Sequence, residues 1–361
     1  MSVLDLARPD LLALTGYSSA RMEASSGNVW LNANESPWPH GEAALNRYPE
    51  PQPSRLRAQL AALYGVDEAQ LLIGRGSDEA IDLLVRAFCR TGRDAILIQP
   101  PTFGMYAVCA AVQGAVVRDA PLSRDAGFLP DFDAVLAAVE ESVAAGAPVK
   151  LVFVCAPNNP TGDLPSRASI LGLADALRGR ALVVVDEAYI EFADIDSLAA
   201  DVAAHGNLAV LRSLSKAHAL AAARIGCLVA APEIIGLLRR IMSPYPLPTP
   251  CVEAAEAALS PSALARTRER IALVRSERER LRLLLKQRAD VRDVLPSQAN
   301  FLAVRFDDAG ARYRQLLARG IVVRDVRRYP GLEDALRITV GSPDENAALL
   351  AALAQPLECV A

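Results

Sequence analysis

Short, continuously apolar runs alternate with helical patterns between residues 54 and 231. The runs lie at 95–98, 149–155, 181–185, 208–211 and 226–231, and helices are predicted at 54–64, 78–89, 132–143 and 166–177. An apolar run without polar alternation is typical of a strand that is buried on both faces. The pattern therefore predicts an α/β fold in which helices flank a mostly parallel sheet.

The pattern changes after four prolines between residues 244 and 250. A long charged helix is predicted after Pro261, followed by strands at 301–306, 321–326 and 336–340 and helices at 309–319 and 344–353. Residues 1–45 show no such periodicity. We therefore predict an N-terminal arm (1–45), a large domain (46–250) and a smaller C-terminal α/β domain (251–361).

Composition narrows the class of protein. The chain has 361 residues, 52% of them hydrophobic and 22% charged, and its net charge of −4 provides no basic face for nucleic acid. The six cysteines lack the spacing of a zinc site or a disulfide framework, so we expect free thiols and no metal. No signal sequence or membrane span is predicted. We expect a soluble, cytoplasmic protein.

Lysine is rare in this chain and occurs only at positions 150, 216 and 286. Lys150 lies at the start of a predicted strand, whereas ligands of open α/β sheets bind at the carboxyl ends. Lys286 lies in the charged helix, where a solvated surface role is expected. Lys216 follows the apolar run 208–211 in a polar turn with Ser213 and Ser215, and it is the candidate for amine chemistry.

Two other predicted strands also end in polar residues. Asp186 follows the run 181–185, and a carboxylate at that place requires a cationic partner. It could pair with an arginine or cap the next element, or it could pair with the protonated ring nitrogen of a cofactor. Asn159 follows the run 149–155 in a sequence that would also suit a plain loop. A parallel sheet would bring these strand ends to one edge.

Residues 74–79 join a short apolar run to a helix that is predicted to begin near Asp78. Their glycines and the first N–H groups of the helix could bind an anion, although Ser77 or Asp78 would also serve as an ordinary N-cap. Ser213, Ser215 and Arg224 could add donors for a phosphate. A lysine, an acid and a phosphate site are together the requirements for binding pyridoxal phosphate.

Five motifs carry a resemblance to a known family. They are Arg-Gly-Ser-Asp-Glu at 75–79, Pro-Pro-Thr-Phe-Gly-Met-Tyr at 100–106, Ala-Pro-Asn-Asn-Pro-Thr-Gly at 156–162, Asp-Glu-Ala-Tyr at 186–189 and Ser-Leu-Ser-Lys-Ala at 213–217. With them the chain resembles the fold-type I aminotransferases and, among these, the histidinol-phosphate aminotransferase family. The resemblance extends over nearly the whole chain.

The resemblance implies a role for each candidate residue. Lys216 would form a Schiff base with pyridoxal phosphate and would then transfer the substrate proton. Asp186 would keep the pyridine nitrogen protonated. Asn159 and Tyr189 would bind the ring oxygen O3′, and Phe103 would stack on the ring. The residues implied to bind the cofactor phosphate are Ser77, Asp78, Ser213, Ser215 and Arg224.

The resemblance also implies a substrate site and a dimer. Arg324 and Arg337 match the arginines with which the family binds substrate, and Tyr17 on the arm would be a further contact, besides Asn159. Tyr48 and Tyr245 match positions that are contributed across a dimer interface, Tyr48 to the cofactor and Tyr245 to the substrate. A homodimer with shared active sites is therefore implied.

The reaction implied is transamination between L-histidinol phosphate and 2-oxoglutarate, which yields imidazole acetol phosphate and glutamate in histidine biosynthesis. Three alternatives remain open from the sequence: an aromatic amino acid aminotransferase, a threonine-phosphate decarboxylase, and a regulatory protein that binds the cofactor without turnover. The chain departs from the family pattern at Ala222 and Ala223, where glycine and leucine are usual, and at His218, where phenylalanine is usual.

Overall fold

The fold is built around a seven-stranded sheet. A computed structural model of the chain describes residues 2–17, 27, 29–41 and 45–357. The strands are β1 (Leu71–Arg75), β2 (Ala95–Ile98), β3 (Val116–Asp119), β4 (Val149–Cys155), β5 (Leu182–Asp186), β6 (Leu208–Ser213) and β7 (Ile225–Val229), in the spatial order β1-β7-β6-β5-β4-β2-β3. Strands β2 to β6 are mutually parallel, whereas β7 runs antiparallel to both β6 and β1. The predicted fold class is confirmed.

Helices cover both faces of this sheet. They are α2 (Ser54–Tyr64), α3 (Ser77–Phe88), α4 (Met105–Gln113), α5 (Phe132–Ala144), α6 (Arg167–Ala176) and α7 (Pro232–Ile241), after a short α1 (Pro9–Leu12). Alternate residues of β5 enter different cores: Val183 and Val185 belong to one apolar cluster, and Leu182 and Val184 belong to the other. This two-sided burial explains why the strand is continuously apolar in the sequence.

A second sheet of four antiparallel strands forms the C-terminal part. Its strands are β8 (Val291–Val294), β9 (Phe301–Phe306), β10 (Arg324–Asp325) and β11 (Ala335–Thr339), in the order β10-β11-β9-β8, with the helices α8 (Thr249–Ala258), α9 (Pro261–Lys286), α10 (Ala309–Ala318) and α11 (Pro343–Ala354). The register of β10 and β11 places Arg324 directly opposite Arg337.

The strand predictions need correction in two respects. The strand predicted at 321–326 is only two residues long, and its apolar Val322 is 79% exposed, so apolarity there does not reflect burial. Strands β3 and β8 were not predicted, because each carries charged residues and is only partly buried at the edge of its sheet. The helix predicted at 54–64 has the same bounds in the structure, as α2, and its N-cap is Pro53.

The domain boundaries at 45/46 and 250/251 stay predictions. Within the predicted arm, Leu6 and Ala7 are buried in the core between the sheet and α3. Other parts of the predicted arm, and Cys359, lie outside the described residues, in which the remaining five cysteines are free thiols. Among the helices of the described part, none has the length and apolarity that crossing a bilayer requires.

Candidate active site

Polar side chains from the ends of β4, β5 and β6 meet at one edge of the large sheet. Asp186 is the last residue of β5 and Ser213 the last residue of β6, while Asn159 follows β4 by four residues. Because these strands are parallel neighbours, their carboxyl ends open into one cavity, which we call the inner cavity. It is lined by Ser77, Asp78, Phe103, Cys155, Asn159, Asp186, Ala188, Tyr189, Ser213, Ser215, Lys216 and Arg224.

The inner cavity thus brings together every residue that was predicted to bind the cofactor, apart from Tyr48. Cys155 and Ala188 line it as well, although the sequence offered no chemical reason to select them. Tyr106 was also missed as a functional residue. It lies within the motif at 100–106, but its apolar surroundings on α4 gave no sign that its hydroxyl would reach the site.

Asp186 is a buried carboxylate with two hydrogen-bond donors. The hydroxyl of Tyr106 donates to its Oδ2 at 2.8 Å, and the backbone N–H of Ala188 donates to its Oδ1 at 3.1 Å. Burial raises the pKa of Asp186 to about 6, against the lowering effect of these two hydrogen bonds. A carboxyl group in this state gains stability when a cation comes beside it, because the cation favours the charged form.

Lys216 lies between the acid and the arginines of the small sheet. Its Nζ is 5.6 Å from the centroid of the Tyr189 ring. The pKa of Lys216 is lowered, first by desolvation and then by the positive charges of Arg337 and Arg224. A lowered pKa increases the fraction of neutral amine, which is the nucleophilic form of a lysine.

The N-terminus of α3 is open towards the inner cavity. Gly76 is its N-cap, at φ 79°, and no side chain in the described part of the chain caps the helix, so neither Ser77 nor Asp78 acts as the ordinary cap that the sequence allowed. The first N–H groups and the positive end of the helix dipole are therefore available to an anion. The positive φ of Gly76 favours glycine, and a Cβ there would lie 2.6 Å from Nη2 of Arg224, which would have to move.

Arg224 is positioned beside the start of α3. Its Nη2 is 3.1 Å from Oδ2 of Asp78, and its Nη1 is 3.4 Å from Oγ of Ser215. The backbone of Arg224 has φ 55°, a left-handed conformation that is uncommon for a residue with a side chain. Such backbone strain is concentrated at functional sites, where the surrounding structure holds it. The substitutions Ala222 and Ala223 lie in the turn just before it.

A hydrogen-bonded chain joins the large sheet to the small one. Nη1 of Arg337 donates to Oδ1 of Asn159, and Nδ2 of Asn159 donates to the Tyr189 hydroxyl at 3.4 Å. The guanidinium carbon of Arg337 also lies 5.2 Å from the centre of the Phe301 ring. Arg337 thus has a fixed orientation, with Nε left without a partner among the described residues.

A second cavity of about 420 Å³ continues from the inner one, and we call it the outer cavity. The two share Phe103, Asn159, Tyr189 and Lys216. The outer cavity adds both predicted substrate arginines, Arg324 and Arg337, and it also contains residues for which no role was predicted: Gly104, Met105, Val108, Pro160, Val326, Arg328 and Tyr329. Arg328 had no signal in the sequence that separated it from the many other arginines.

Three predicted tyrosines do not line either cavity within one chain. Tyr17 is 72% exposed on the arm. Tyr48 and Tyr245 stack on each other, with ring centroids 4.4 Å apart and an interplanar angle of 13°, at a surface where Tyr48 remains half exposed. A contact of these residues with the site would require a second copy of the chain or a movement of the arm.

His218 lies outside both cavities and faces a separate pocket beside Arg212 and α9. Burial lowers the pKa of His218, and its Nδ1 has no hydrogen-bond partner among the described residues. This pocket shares no described lining residue with the inner or the outer cavity, so the geometry favours a structural role for His218.

The fold and the site together define a class of enzyme. The family model for aminotransferase class I and II matches residues 26–353, and the chain belongs to this family. It is 59% identical to a protein named histidinol-phosphate aminotransferase from Stenotrophomonas maltophilia (strain R551-3), over 97% of this chain and 96% of that one. Within the class, the chain therefore belongs with the histidinol-phosphate aminotransferases.

Solved structures show the same architecture. The histidinol-phosphate aminotransferase from Sinorhizobium meliloti in complex with pyridoxal-5′-phosphate is similar with a TM-score of 0.75 and 27% identity, over 85% of this chain and 82% of that one. The L-threonine-O-3-phosphate decarboxylase from Porphyromonas gingivalis gives a TM-score of 0.71 and 26% identity, over 86% and 90%. The shared fold alone thus accommodates more than one reaction.

Proposed function

We propose that this aminotransferase converts L-histidinol phosphate and 2-oxoglutarate to imidazole acetol phosphate and glutamate, a step of histidine biosynthesis, with pyridoxal 5′-phosphate as cofactor. The observation that carries the proposal is the position of Lys216, which lines both the inner cavity with its buried acid and the outer cavity with its arginines. The 59% identity to a relative of that name favours this substrate over the alternatives.

The donor set of the inner cavity fits the cofactor at both ends. The open N-terminus of α3, the hydroxyls of Ser77, Ser213 and Ser215, and the guanidinium of Arg224 suit a phosphate dianion. Asp186, at the other end, suits a protonated pyridine nitrogen. When bound, pyridoxal phosphate would supply an electron sink for the substrate α-carbon and a carrier for the amino group.

Asp186 would serve as the counter-ion of that ring nitrogen. Its raised pKa shows that its charge is uncompensated without a cation, and a pyridinium in contact would remove this cost. Tyr106 holds the carboxylate in one orientation through its 2.8 Å hydrogen bond. We propose that Phe103 contacts the ring face and that Asn159 and Tyr189 bind its oxygen O3′.

Lys216 would carry the cofactor through Nζ and, once released by the substrate amine, would act as the acid and base at the α-carbon. Its lowered pKa suits attack on the cofactor and the abstraction of the α-proton, because both begin from a neutral amine; the amine becomes the acid only after it has taken up that proton. Its place at the junction of the two cavities puts Nζ between the sites proposed for cofactor and substrate.

Arg324 and Arg337 would bind the anionic end of the substrate in the outer cavity. They are opposed in the register of β10 and β11, and both line this cavity. A pair of guanidinium groups can bind either a phosphate or a carboxylate, so one pocket can serve both half-reactions. Tyr17 would approach this pocket from the arm.

We propose that the enzyme is a homodimer in which Tyr48 and Tyr245 of one chain complete the site of the other. The arm near Tyr48 exposes Leu31 and Trp38 by 88% and 78%, and large apolar residues exposed together mark an interaction surface. We also propose a cytoplasmic location, since the five cysteines in the described part are unpaired thiols.

A substrate panel tests the function. Purified enzyme should absorb visible light through its bound cofactor, and Lys216→Ala should lose this absorption while Lys286→Ala, on the surface of α9, should keep it. The amine half-reaction should be fastest with histidinol phosphate, compared with phenylalanine, tyrosine and threonine phosphate. A faster reaction with phenylalanine would reject the substrate, and release of carbon dioxide from threonine phosphate would identify a decarboxylase.

A further inference from the structure

All charged side chains that line the outer cavity in the described part of the chain are positively charged. Its charged residues among those described are Lys216, Arg324, Arg328 and Arg337, and no carboxylate lines it. Such an arrangement repels itself when empty and is stabilised by an anion, more strongly by a dianion than by a monoanion. The cavity therefore contains one more guanidinium group than the pair that the proposed function uses.

The additional group belongs to Arg328, in the loop after β10. Its guanidinium carbon lies 5.3 Å from the centroid of the Tyr329 ring, and its side chain has no hydrogen bond or ion pair within the described part of the chain. Both Arg328 and Tyr329 line the outer cavity. A contact with an aromatic ring does not occupy the N–H donors of a guanidinium group, so those of Arg328 remain available to an anion.

The neighbouring Arg327 differs in each of these respects. Its Nε and Nη2 donate to the carboxylate of Asp325 at 3.0 and 2.7 Å, so its charge is neutralised. The guanidinium also packs against the start of α10, where a Cβ on Gly310 would lie 2.5 Å from Nη1 of Arg327. It does not line the outer cavity. Of these two adjacent arginines, Arg327 is held by an ion pair and by packing, whereas Arg328 lines the outer cavity.

We propose that Arg328 is a specificity-determining residue, which binds the phosphate group of the amine substrate together with Arg324 and Arg337. This inference rests on the proposed function. A phosphate dianion offers three terminal oxygens with two negative charges, so it can accept hydrogen bonds from a third guanidinium group. An aromatic amino acid offers a carboxylate at that end, with two oxygens and one negative charge, which Arg324 and Arg337 can pair by themselves, so Arg328 contributes less binding energy for it. Arg328 would therefore favour a phosphorylated amine over phenylalanine.

The test compares Arg328→Gln with the matched control Arg327→Gln in the holoenzyme. We expect Arg328→Gln to lower the ratio of kcat/KM for histidinol phosphate to kcat/KM for phenylalanine about tenfold, mainly through the KM for histidinol phosphate. Arg328→Lys should recover part of the ratio, because it restores the charge without the planar fork. Arg327→Gln should leave the ratio within about twofold. An equal loss with both substrates, or an unchanged ratio in Arg328→Gln, would overturn the inference.

A second measurement separates this inference from the proposed function. Inorganic phosphate should inhibit the half-reaction with phenylalanine in the wild-type holoenzyme, and its inhibition constant should rise about tenfold in Arg328→Gln and stay unchanged in Arg327→Gln. If the wild type does not react with histidinol phosphate, the proposed function fails. The role of Arg328 is then tested by the inhibition constant of inorganic phosphate alone. A rise then supports a phosphorylated substrate of another kind, whereas no rise in Arg328→Gln rejects the role of Arg328.

Discussion

The hydroxyl of Tyr106 donates a 2.8 Å hydrogen bond to Oδ2 of Asp186, and both side chains are buried. The Tyr106 ring is held on both sides, since it stacks on Phe153 at 4.6 Å and meets Phe103 edge to face at 5.6 Å. A donor that is fixed in this way orients the carboxylate towards the inner cavity. We infer that Tyr106 is a positioning residue for Asp186.

Replacing Tyr106 by phenylalanine should weaken the cofactor site and keep the ring packing. The hydrogen bond lowers the pKa of Asp186, so its removal should raise that pKa above about 6. Cofactor binding should weaken about tenfold near pH 7, and its decline on the acid side should begin at a higher pH than in the wild type. Titration with cofactor across pH 5 to 8 measures both effects.

The matched control is Tyr64→Phe, which removes another buried tyrosine hydroxyl outside the two cavities. It should leave the pH dependence of cofactor binding as in the wild type. If cofactor binding declines at the same acidic pH in Tyr106→Phe and in the wild type, the hydrogen bond does not affect the charge of Asp186.

Asp186→Asn should stabilise the cofactor-free protein above pH 6. Burial raises the pKa of Asp186 from 3.8 to about 6. The folded state therefore binds the proton more tightly than the unfolded state, and the stability linked to this group is present below about pH 4 and is lost as the pH rises through about 6. Asparagine carries no charge, so the variant should be about 1 to 3 kcal/mol more stable at pH 8.

Urea unfolding of both proteins without cofactor, at pH 5 and pH 8, measures this difference. The gain in unfolding free energy of Asp186→Asn over the wild type should be larger at pH 8 than at pH 5. With cofactor bound, the order at pH 8 should reverse, because only the carboxylate provides a charge for the ring nitrogen. A cofactor-free wild type that is the more stable protein at pH 8 would contradict the proposed electrostatics of the site.

Arg337→Gln should raise the KM values for both histidinol phosphate and glutamate about 100-fold. The guanidinium is fixed by Asn159 and by the Phe301 ring, and its hydrogen bonds to a charged substrate contribute about 1.5 to 3 kcal/mol each. Arg292→Gln, a surface arginine of β8 that pairs with Asp307 at 2.9 Å, should change neither value. Steady-state kinetics with each substrate varied in turn provides the measurement, and an effect on one substrate alone would exclude a shared anion pocket.

Mixing two inactive variants tests the shared site of the proposed homodimer. If Tyr48 acts in the partner's site, a heterodimer of Lys216→Ala and Tyr48→Ala contains one intact site, and random exchange should restore about a quarter of the wild-type activity. The control mixture, Lys216→Ala with Asp186→Asn, has both lesions in residues of the same chain's inner cavity and should restore none. Equal recovery in the two mixtures would rule out a contribution of Tyr48 across the interface.

The sequence alone determined the edge of the sheet at which the chemistry is placed. The runs that became β4, β5 and β6 are continuously apolar because both faces of each strand are buried, and this leaves a local signal. Asn159, Asp186 and Ser213 come at or after the ends of these runs, and parallel pairing brings them together. The rarity of lysine then selected Lys216.

Only the tertiary structure decided which distant side chains meet there. Tyr106 lies 80 positions before Asp186, and the choice between Arg327 and Arg328 depends on the fold of one loop against α10. The opposed register of Arg324 and Arg337 could not be read from apolarity, because β10 is two residues long and largely exposed. Periodicity reports the burial of a residue along its own element, whereas contacts between elements are determined by how those elements pack.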